Sequence, residues 1–184
     1  AAFGLAGSAG LNAYIPLLMV ALAARLPLDN PLIKLQTPYD LLGSWWAIGL
    51  IAVLLVIEIV ADKIPAVDTV NDGIQTFIRP AAGAILFAGS ANVITDVHPI
   101  LALGAGLLVA GGVHATKTAA RPVVTVSTAG VGNPIVSTLE DITAFVVSFL
   151  AILLPIIAAL LLFTLLIFTF IIVRRWRRRK VVAL

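Results

Sequence analysis

EIVADKIPAVDTVNDGIQTFIRP, residues Glu58–Pro80, decides how this chain is read. It begins as the end of an apolar run, yet it carries Glu58, Asp62, Lys63, Asp68, Asp72 and Arg79. That is six charges between Glu58 and Arg79 in a chain that is 11% charged overall. Charge at membrane depth costs about 2.5–3.5 kcal/mol per residue on insertion scales, so it faces a bundle interior or a water-filled cavity. The stretch therefore marks a functional site, and the rest of the chain must supply walls and partners.

The composition agrees with that reading. The chain has 184 residues, is 61% hydrophobic and has a mean hydropathy of +1.12. Soluble domains are roughly 45–50% apolar and about 25% charged. An all-α polytopic helical membrane bundle is expected, with one transmembrane domain over residues 1–173 and a basic tail over 174–184. No cysteine is present, which removes disulfides, thiolate metal sites and thiol nucleophiles. The net charge of +3 is misleading, because Arg174, Arg175, Arg177, Arg178, Arg179 and Lys180 sit together at one end. Without those six, six basic residues face nine acidic ones. The sequence starts without Met. No basic region precedes the first apolar run and no clean cleavage box follows it, so no cleavable signal peptide is predicted.

Outward from the charged stretch, the expected first span is Gly4–Arg25. Gly4, Gly7 and Gly10 give it a small-residue packing face, and Asn12, Tyr14 and Pro16 interrupt it. Pro16 cannot donate to the Asn12 carbonyl, which predicts a break with a free acceptor. A Pro-rich loop over 26–43 leads to Trp45 and Trp46, an interface marker, and to a second span ending near Ala61. Glu58 and Asp62 share a helix face at i,i+4, as do Asp68 and Asp72. Ile64-Pro65 predicts a break, Asp72-Gly73 a turn, and Arg79-Pro80 the opening of a third span, Ala81–Val97, with polar Ser90, Asn92 and Thr95.

A fourth span over Ile100–Ala120 aligns His114, Lys117 and Arg121 on one face. Ser137-Thr138-Leu139-Glu140 fits a capping box, with Asp141 beside it at the positive end of the helix dipole. The run Ile142–Val173 is about 48 Å long as one helix at ~1.5 Å per residue, against a hydrocarbon core of about 30 Å. It is either one long helix, giving five spans, or a hairpin folded at Leu154-Pro155, giving six. Placing the C-terminal basic cluster on the side of Lys63 and Lys117 favours six, with both termini cytoplasmic.

In that topology Asn12, Tyr14, Glu58, Asp62, Lys63, Asp68, Asp72, Arg79, His114, Lys117, Arg121, Glu140 and Asp141 approach one half of a bundle of broken helices, as a buried charged cluster. Gly10–Tyr14 (GLNAY), Ala61–Asp68 (ADKIPAVD), Ile78–Ala84 (IRPAAGA), His114–Pro122 (HATKTAARP) and Leu139–Asp141 (LED) occur in that order. The chain resembles, over essentially the whole bundle, an uncharacterised family of bacterial integral membrane proteins catalogued as domain of unknown function 4126. The resemblance implies a multi-span protein of the bacterial cytoplasmic membrane and brings no activity with it. Gly10–Tyr14 can also be set against Gly112–Thr116, and Val70–Asp72 against Leu139–Asp141, as a faint internal repeat of the kind transporters use.

Three functions compete. A transporter or channel for a small ion or proton-coupled solute would use Asp62, Glu58 and Asp141 as carriers, Lys117 as counter-ion and His114 as the near-neutral titrating group. A structural or accessory subunit of a larger membrane complex, or a homo-oligomer, would use the ion pairs to fix register. A membrane-embedded metalloenzyme ranks third. No cofactor is predicted, the carboxylates leave room for a divalent cation, and no HExxH or GxSxG motif is present. The tail from Arg174 to Lys180 reads as a membrane-surface anchor attracted to anionic lipid. Nucleic acid is not expected, because a single Trp176 offers no stacking platform.

Overall fold

A computed structural model describes residues 1–29, 31–35, 37–90, 97–154, 160–170 and 174, except for the side chains of Pro65, Ala66, Asp68 and Thr69. No strand occurs among the described residues. The order is α1 (Ala2–Leu11), α2 (Tyr14–Ala23), a 3-10 turn (Tyr39–Gly43), α3 (Trp45–Ala61), α4 (Pro65–Ser90), α5 (Pro99–Thr128), α6 (Asn133–Leu153) and α7 (Leu160–Phe170). Two of these, α5 and α6, are long and apolar enough to cross a membrane by themselves.

The expected first span is two helices of ten residues each, about 15 Å apiece. The break falls at Asn12, one of the three residues expected to interrupt the span, while Tyr14 and Pro16 belong to α2. Asn12 has extended backbone (φ −145°, ψ 122°), and its Oδ1 accepts from the N–H groups of Tyr14 (3.0 Å) and Ile15 (3.1 Å). It therefore ends α1 and caps α2. Pro16 falls in the first turn of α2, where its missing N–H costs nothing.

The contacts show that α1 and α2 run in opposite directions. Phe3 packs on Phe87 with ring centroids 4.8 Å apart, and the Leu11 carbonyl accepts from Lys117 Nζ, so α1 runs parallel to α5. At the far end of α2, Arg25 lies over the Trp45 ring at 5.4 Å, level with the start of α3. The chain thus enters the bundle, turns at Asn12 and returns to the end it came from. It forms a hairpin where a crossing helix was expected.

Beyond the hairpin, α3, α4, α5, α6 and α7 run alternately up and down. Ser44 caps α3 by accepting from the Ala47 N–H at 3.2 Å. α3 ends at Asp62, and Pro65 opens α4, as the Ile64-Pro65 pair predicts. The turn expected at Asp72-Gly73 does not form, and Pro80 lies inside α4 instead of opening a span. α5 likewise runs through Pro122 to a left-handed stop at Ala129 (φ 50°) and Gly130 (φ 86°). α6 then starts at Asn133-Pro134, so Ser137 and Glu140 lie inside the helix and make no capping box.

The last apolar run is not one helix. α6 stops at Leu154 (φ −136°, ψ 72°), and α7 runs back beside α1, where Leu162 meets Gly7. Residues 155–159, with Pro155, lie outside the described residues, as do Asn92, Thr95 and Asp96 of the expected third span. The start of α1 and the far end of α7 lie at opposite ends of the bundle.

Small residues build the centre. α1 has Gly4 through Gly10 buried and is surrounded by α4, α5, α6 and α7. A Cβ at Gly106 would sit 2.6 Å from Phe87 Cβ and would overlap the Gly83 carbonyl. One at Gly10 would sit 2.6 Å from Val113 Cβ. Outside lie Leu50, Val56, Phe77, Leu108, Val126 and Phe149, all exposed, and Trp46 is 91% exposed. Only 22% of the most apolar window of α5, and of α6, is buried. The interior mixes small and polar groups with Leu5, Leu17, Leu86 and Phe87, and the many large apolar groups left outside suit hydrocarbon surroundings.

The close contacts of α4 on α5 give a direct test. Gly106→Leu should destabilise by overpacking, about 1–3 kcal/mol or more. Gly104→Leu, two residues away with no atom within 4 Å of its Cβ, should leave the protein near wild type. Thermal unfolding in detergent compares them, and equal midpoints would refute the packing.

Candidate functional site

The buried polar layer lies around the Asn12 turn. Glu58 is 13 residues into α3, about 20 Å from Trp45, and Lys117 is 18 residues into α5, about 27 Å from Pro99. Both distances put the layer toward one end of the bundle rather than at its middle.

Arg79 on α4 is the hub, with no exposed side-chain surface. Its Nη2 donates to Glu58 Oε1 on α3 at 3.0 Å, and its Nη1 donates to His114 Nδ1 on α5 at 3.2 Å. Asp72 Oδ1, two turns earlier on α4, lies 3.8 Å from Nη1. A guanidinium only donates, so His114 Nδ1 must accept. A neutral His114 then carries its proton on Nε2, which points to Thr76 Oγ1 at 3.1 Å and Thr118 Oγ1 at 3.4 Å.

A second group fastens the hairpin to α6. Asn12 Nδ2 donates to Asp141 Oδ1 at 3.0 Å, and Lys63 Nζ lies 3.7 Å from Asp141 Oδ2. Glu140 Oε2 takes both Lys117 Nζ (2.9 Å) and Arg121 Nη2 (3.0 Å). Lys117 also reaches the Leu11 carbonyl at 3.3 Å, at the negative end of α1. Asp62 accepts from Asn71 Nδ2 at 2.9 Å and from Ser137 Oγ at 3.1 Å. Higher in the bundle, the Ser8 and Ser148 hydroxyls meet at 2.8 Å.

The carboxylates differ in how fully they are used. Asp62 has a hydrogen bond on each oxygen, while Asp141 has one from Asn12 on Oδ1 and the Lys63 ammonium 3.7 Å from Oδ2. Glu58, 1% exposed, has one oxygen on Arg79, while Oε2 is buried with no hydrogen-bond partner. Asp72 Oδ1, which has only the 3.8 Å approach of Arg79 Nη1, shares that condition with Gln75 Oε1 and Arg79 Nε, and the Gln75 amide bonds the Tyr14 side chain.

A 510 Å³ groove lined by Asp72, Gly73, Thr76, Thr118, Arg121, Pro122, Thr125, Val126 and Asn133 opens beside His114. Among the described residues, no three of His, Asp and Glu come close enough to hold a metal ion.

The sequence profile described as Domain of unknown function (DUF4126) matches residues 1–175. The chain belongs to the DUF4126 family. No curated protein and no solved structure matches it.

Of the residues singled out in this DUF4126 chain, the structure brings together Asn12, Tyr14, Glu58, Asp62, Lys63, Asp72, Arg79, His114, Lys117, Arg121, Glu140 and Asp141. Asp68 lies on α4, but its side chain is outside the described set. Arg174 is exposed, and Arg175, Arg177, Arg178, Arg179 and Lys180 lie outside the described residues. Glu140 and Asp141, read both as helix-capping acids and as members of the charged cluster, make no cap; from the interior of α6 they hold cations and Asn12.

The sequence reading missed Asn71, Gln75, Thr76 and Thr118, and took Ser137, which bonds Asp62, for a helix cap. Gln75 and Arg79 are i,i+4, as are His114 and Thr118, so the face shared with charged residues was the available signal. The faint repeat also fails in shape. α1 breaks at Asn12, whereas α5 passes unbroken through His114.

The geometry orders the ion pairs by cost. Arg79→Met leaves Glu58 buried without its cation, so about 3–5 kcal/mol of stability should be lost. Lys63→Met removes a partly exposed pair at 3.7 Å and should cost about 0–1 kcal/mol. Glu58→Met with Arg79→Met should recover part of the single-variant loss in detergent unfolding. A Lys63→Met loss as large as that of Arg79→Met would refute the ranking.

Proposed function

We propose that this chain is a small transporter or channel of the bacterial cytoplasmic membrane that moves protons, or a small ion coupled to them, with Glu58 as the proton carrier. The observation that carries the reading is the buried Glu58–Arg79–His114 chain, whose inner end holds an unpartnered carboxylate oxygen and whose outer end meets the groove at Thr76 and Thr118.

The hairpin supports it. Helix ends at membrane depth are tolerated where they are buried in protein or line a water-filled cavity, and transporters place such ends at their sites. Here the turn at Asn12 sits in the polar layer. α3 to α7 supply five crossings, and the α1–α2 hairpin replaces the sixth. With the groove and Arg174 toward the cytoplasm, the N-terminal end faces the other side.

Arg79 is the element that responds. It donates to Glu58 and to His114 at once. A proton on Glu58 weakens one partner, and a proton on His114 Nδ1 removes the other. Each event leaves Arg79 held mainly by the remaining acceptor, so proton occupancy at the groove side and at the inner side is coupled through one side chain. Asp62, hydrogen-bonded on both oxygens, and Asp141, held by Asn12 with Lys63 beside it, serve as fixed counter-charges rather than carriers.

Reconstituted protein in liposomes with an internal pH dye tests the reading. Wild type should dissipate an imposed pH gradient, Glu58→Gln should reduce the rate at least about tenfold, the equivalent of about 1.4 kcal/mol, and Lys63→Gln should stay near wild type. No flux from folded wild type, or full flux from Glu58→Gln, would overturn it.

A further inference from the structure

A proton on Glu58 takes away the anion that Arg79 now faces at 3.0 Å. Arg79 has no exposed side-chain surface, and a buried cation that loses its partner is strongly destabilising. His114 Nδ1 accepts from Arg79 Nη1 at 3.2 Å, but a neutral ring supplies no negative charge. A second carboxylate within reach is therefore needed.

Asp72 meets that need. Its Oδ1 is buried, has no hydrogen bond and lies 3.8 Å from Arg79 Nη1. Nη1 carries two hydrogens, and His114 takes one of them. Helical side chains lean toward the N-terminus of their helix, so Arg79 already reaches back along α4 toward Asp72. Thr76 donates to the Asp72 backbone carbonyl at 2.8 Å and does not occupy the carboxylate. The layer's other described carboxylates are engaged. Asn71 and Ser137 hold Asp62, Asn12 holds Asp141, and Lys117 with Arg121 hold Glu140. Asp72 also lines the 510 Å³ groove, which Glu58 does not. Among the described residues, the titratable groups around the guanidinium are Glu58 from α3, Asp72 from α4, His114 from α5 and, through Gln75, Tyr14 from α2.

We propose that Asp72 is the alternate, groove-side counter-ion of Arg79. When a proton neutralises Glu58, the guanidinium closes on Asp72, from 3.8 Å to the ~2.8 Å of a charge-assisted hydrogen bond. When the proton leaves, it returns to Glu58. Asp72 stays ionised throughout and acts as a positioning residue. The exchange moves positive charge toward the groove as Glu58 loads and back as it unloads. It rests on the reading of Glu58 as the proton carrier and gives that carrier two states.

A double-mutant cycle by thermal unfolding in detergent tests the exchange without measuring flux, with Glu58→Gln standing for protonated Glu58. Asp72→Asn should lower the midpoint only slightly in wild type and at least about twice as much in Glu58→Gln, because Arg79 then depends on Asp72. Asp141→Asn, which removes no partner of Arg79, should lower it equally in both. A second readout needs no Glu58 variant. The infrared band of protonated Glu58 should appear at least about one pH unit lower in Asp72→Asn than in wild type, a tenfold change in proton activity, because Arg79 then stays on Glu58 and opposes its protonation. Asp72→Glu should restore the wild-type position. Equal Asp72→Asn losses in the two backgrounds, a loss that grows equally for Asp141→Asn, or an unshifted band would each overturn the exchange. Proton flux with a failed cycle would remove the exchange and leave Glu58 as carrier, whereas a successful cycle without flux would keep the exchange and remove the transport reading.

Discussion

The rest of the bundle depends on the contact between Arg79 and Glu58. The pair joins α4 to α3 at 3.0 Å with neither side chain meaningfully exposed, and the same guanidinium joins α5 through His114. Removing two charges from water costs several kcal/mol per ion, and that cost is recovered only where the geometry is good and the remaining hydrogen bonds are met. Here they are met incompletely. Glu58 Oε2, Gln75 Oε1 and Arg79 Nε are left over, and a group retained under those conditions serves function more readily than stability.

The hairpin explains how such a layer can exist inside an apolar chain. α1 is too short to cross, so it ends inside the bundle and exposes unsatisfied carbonyls. Lys117 takes one of them, and Asn12 supplies the acceptor that α2 needs at its start. The same residue then reaches Asp141. Helix termini, ion pairs and the Gly10–Val113 approach are one connected packing problem, solved by small residues where backbones meet and by charges where they end.

Much of the candidate site was legible in the sequence. Helix class, the break at Pro65 and the gathering of charges from four separated segments follow from hydropathy and from charges that lipid would not tolerate. The hairpin was not legible. Gly4–Arg25 has the length and composition of a span, and only tertiary contacts show that Phe3 and Arg25 lie at the same end. Asp72-Gly73 and Arg79-Pro80 carry real turn chemistry, yet α4 stays helical because Asp62, Glu58 and His114 hold Asn71, Arg79 and Thr76 in register along it. Ser137 to Glu140 failed for a similar reason. The pattern fits a cap, but Asn133-Pro134 starts the helix earlier and Asp62 claims the serine.

The central claim is that Glu58, alone among the buried carboxylates, takes up a proton inside the bundle. Infrared difference spectroscopy of the membrane-reconstituted protein across a pH step measures it directly, because a protonated carboxyl in dry surroundings has its own C=O stretch. A band of that kind should appear in wild type, persist in Asp62→Asn and vanish in Glu58→Gln. No such band, or one that survives Glu58→Gln and vanishes in Asp62→Asn, would contradict the account.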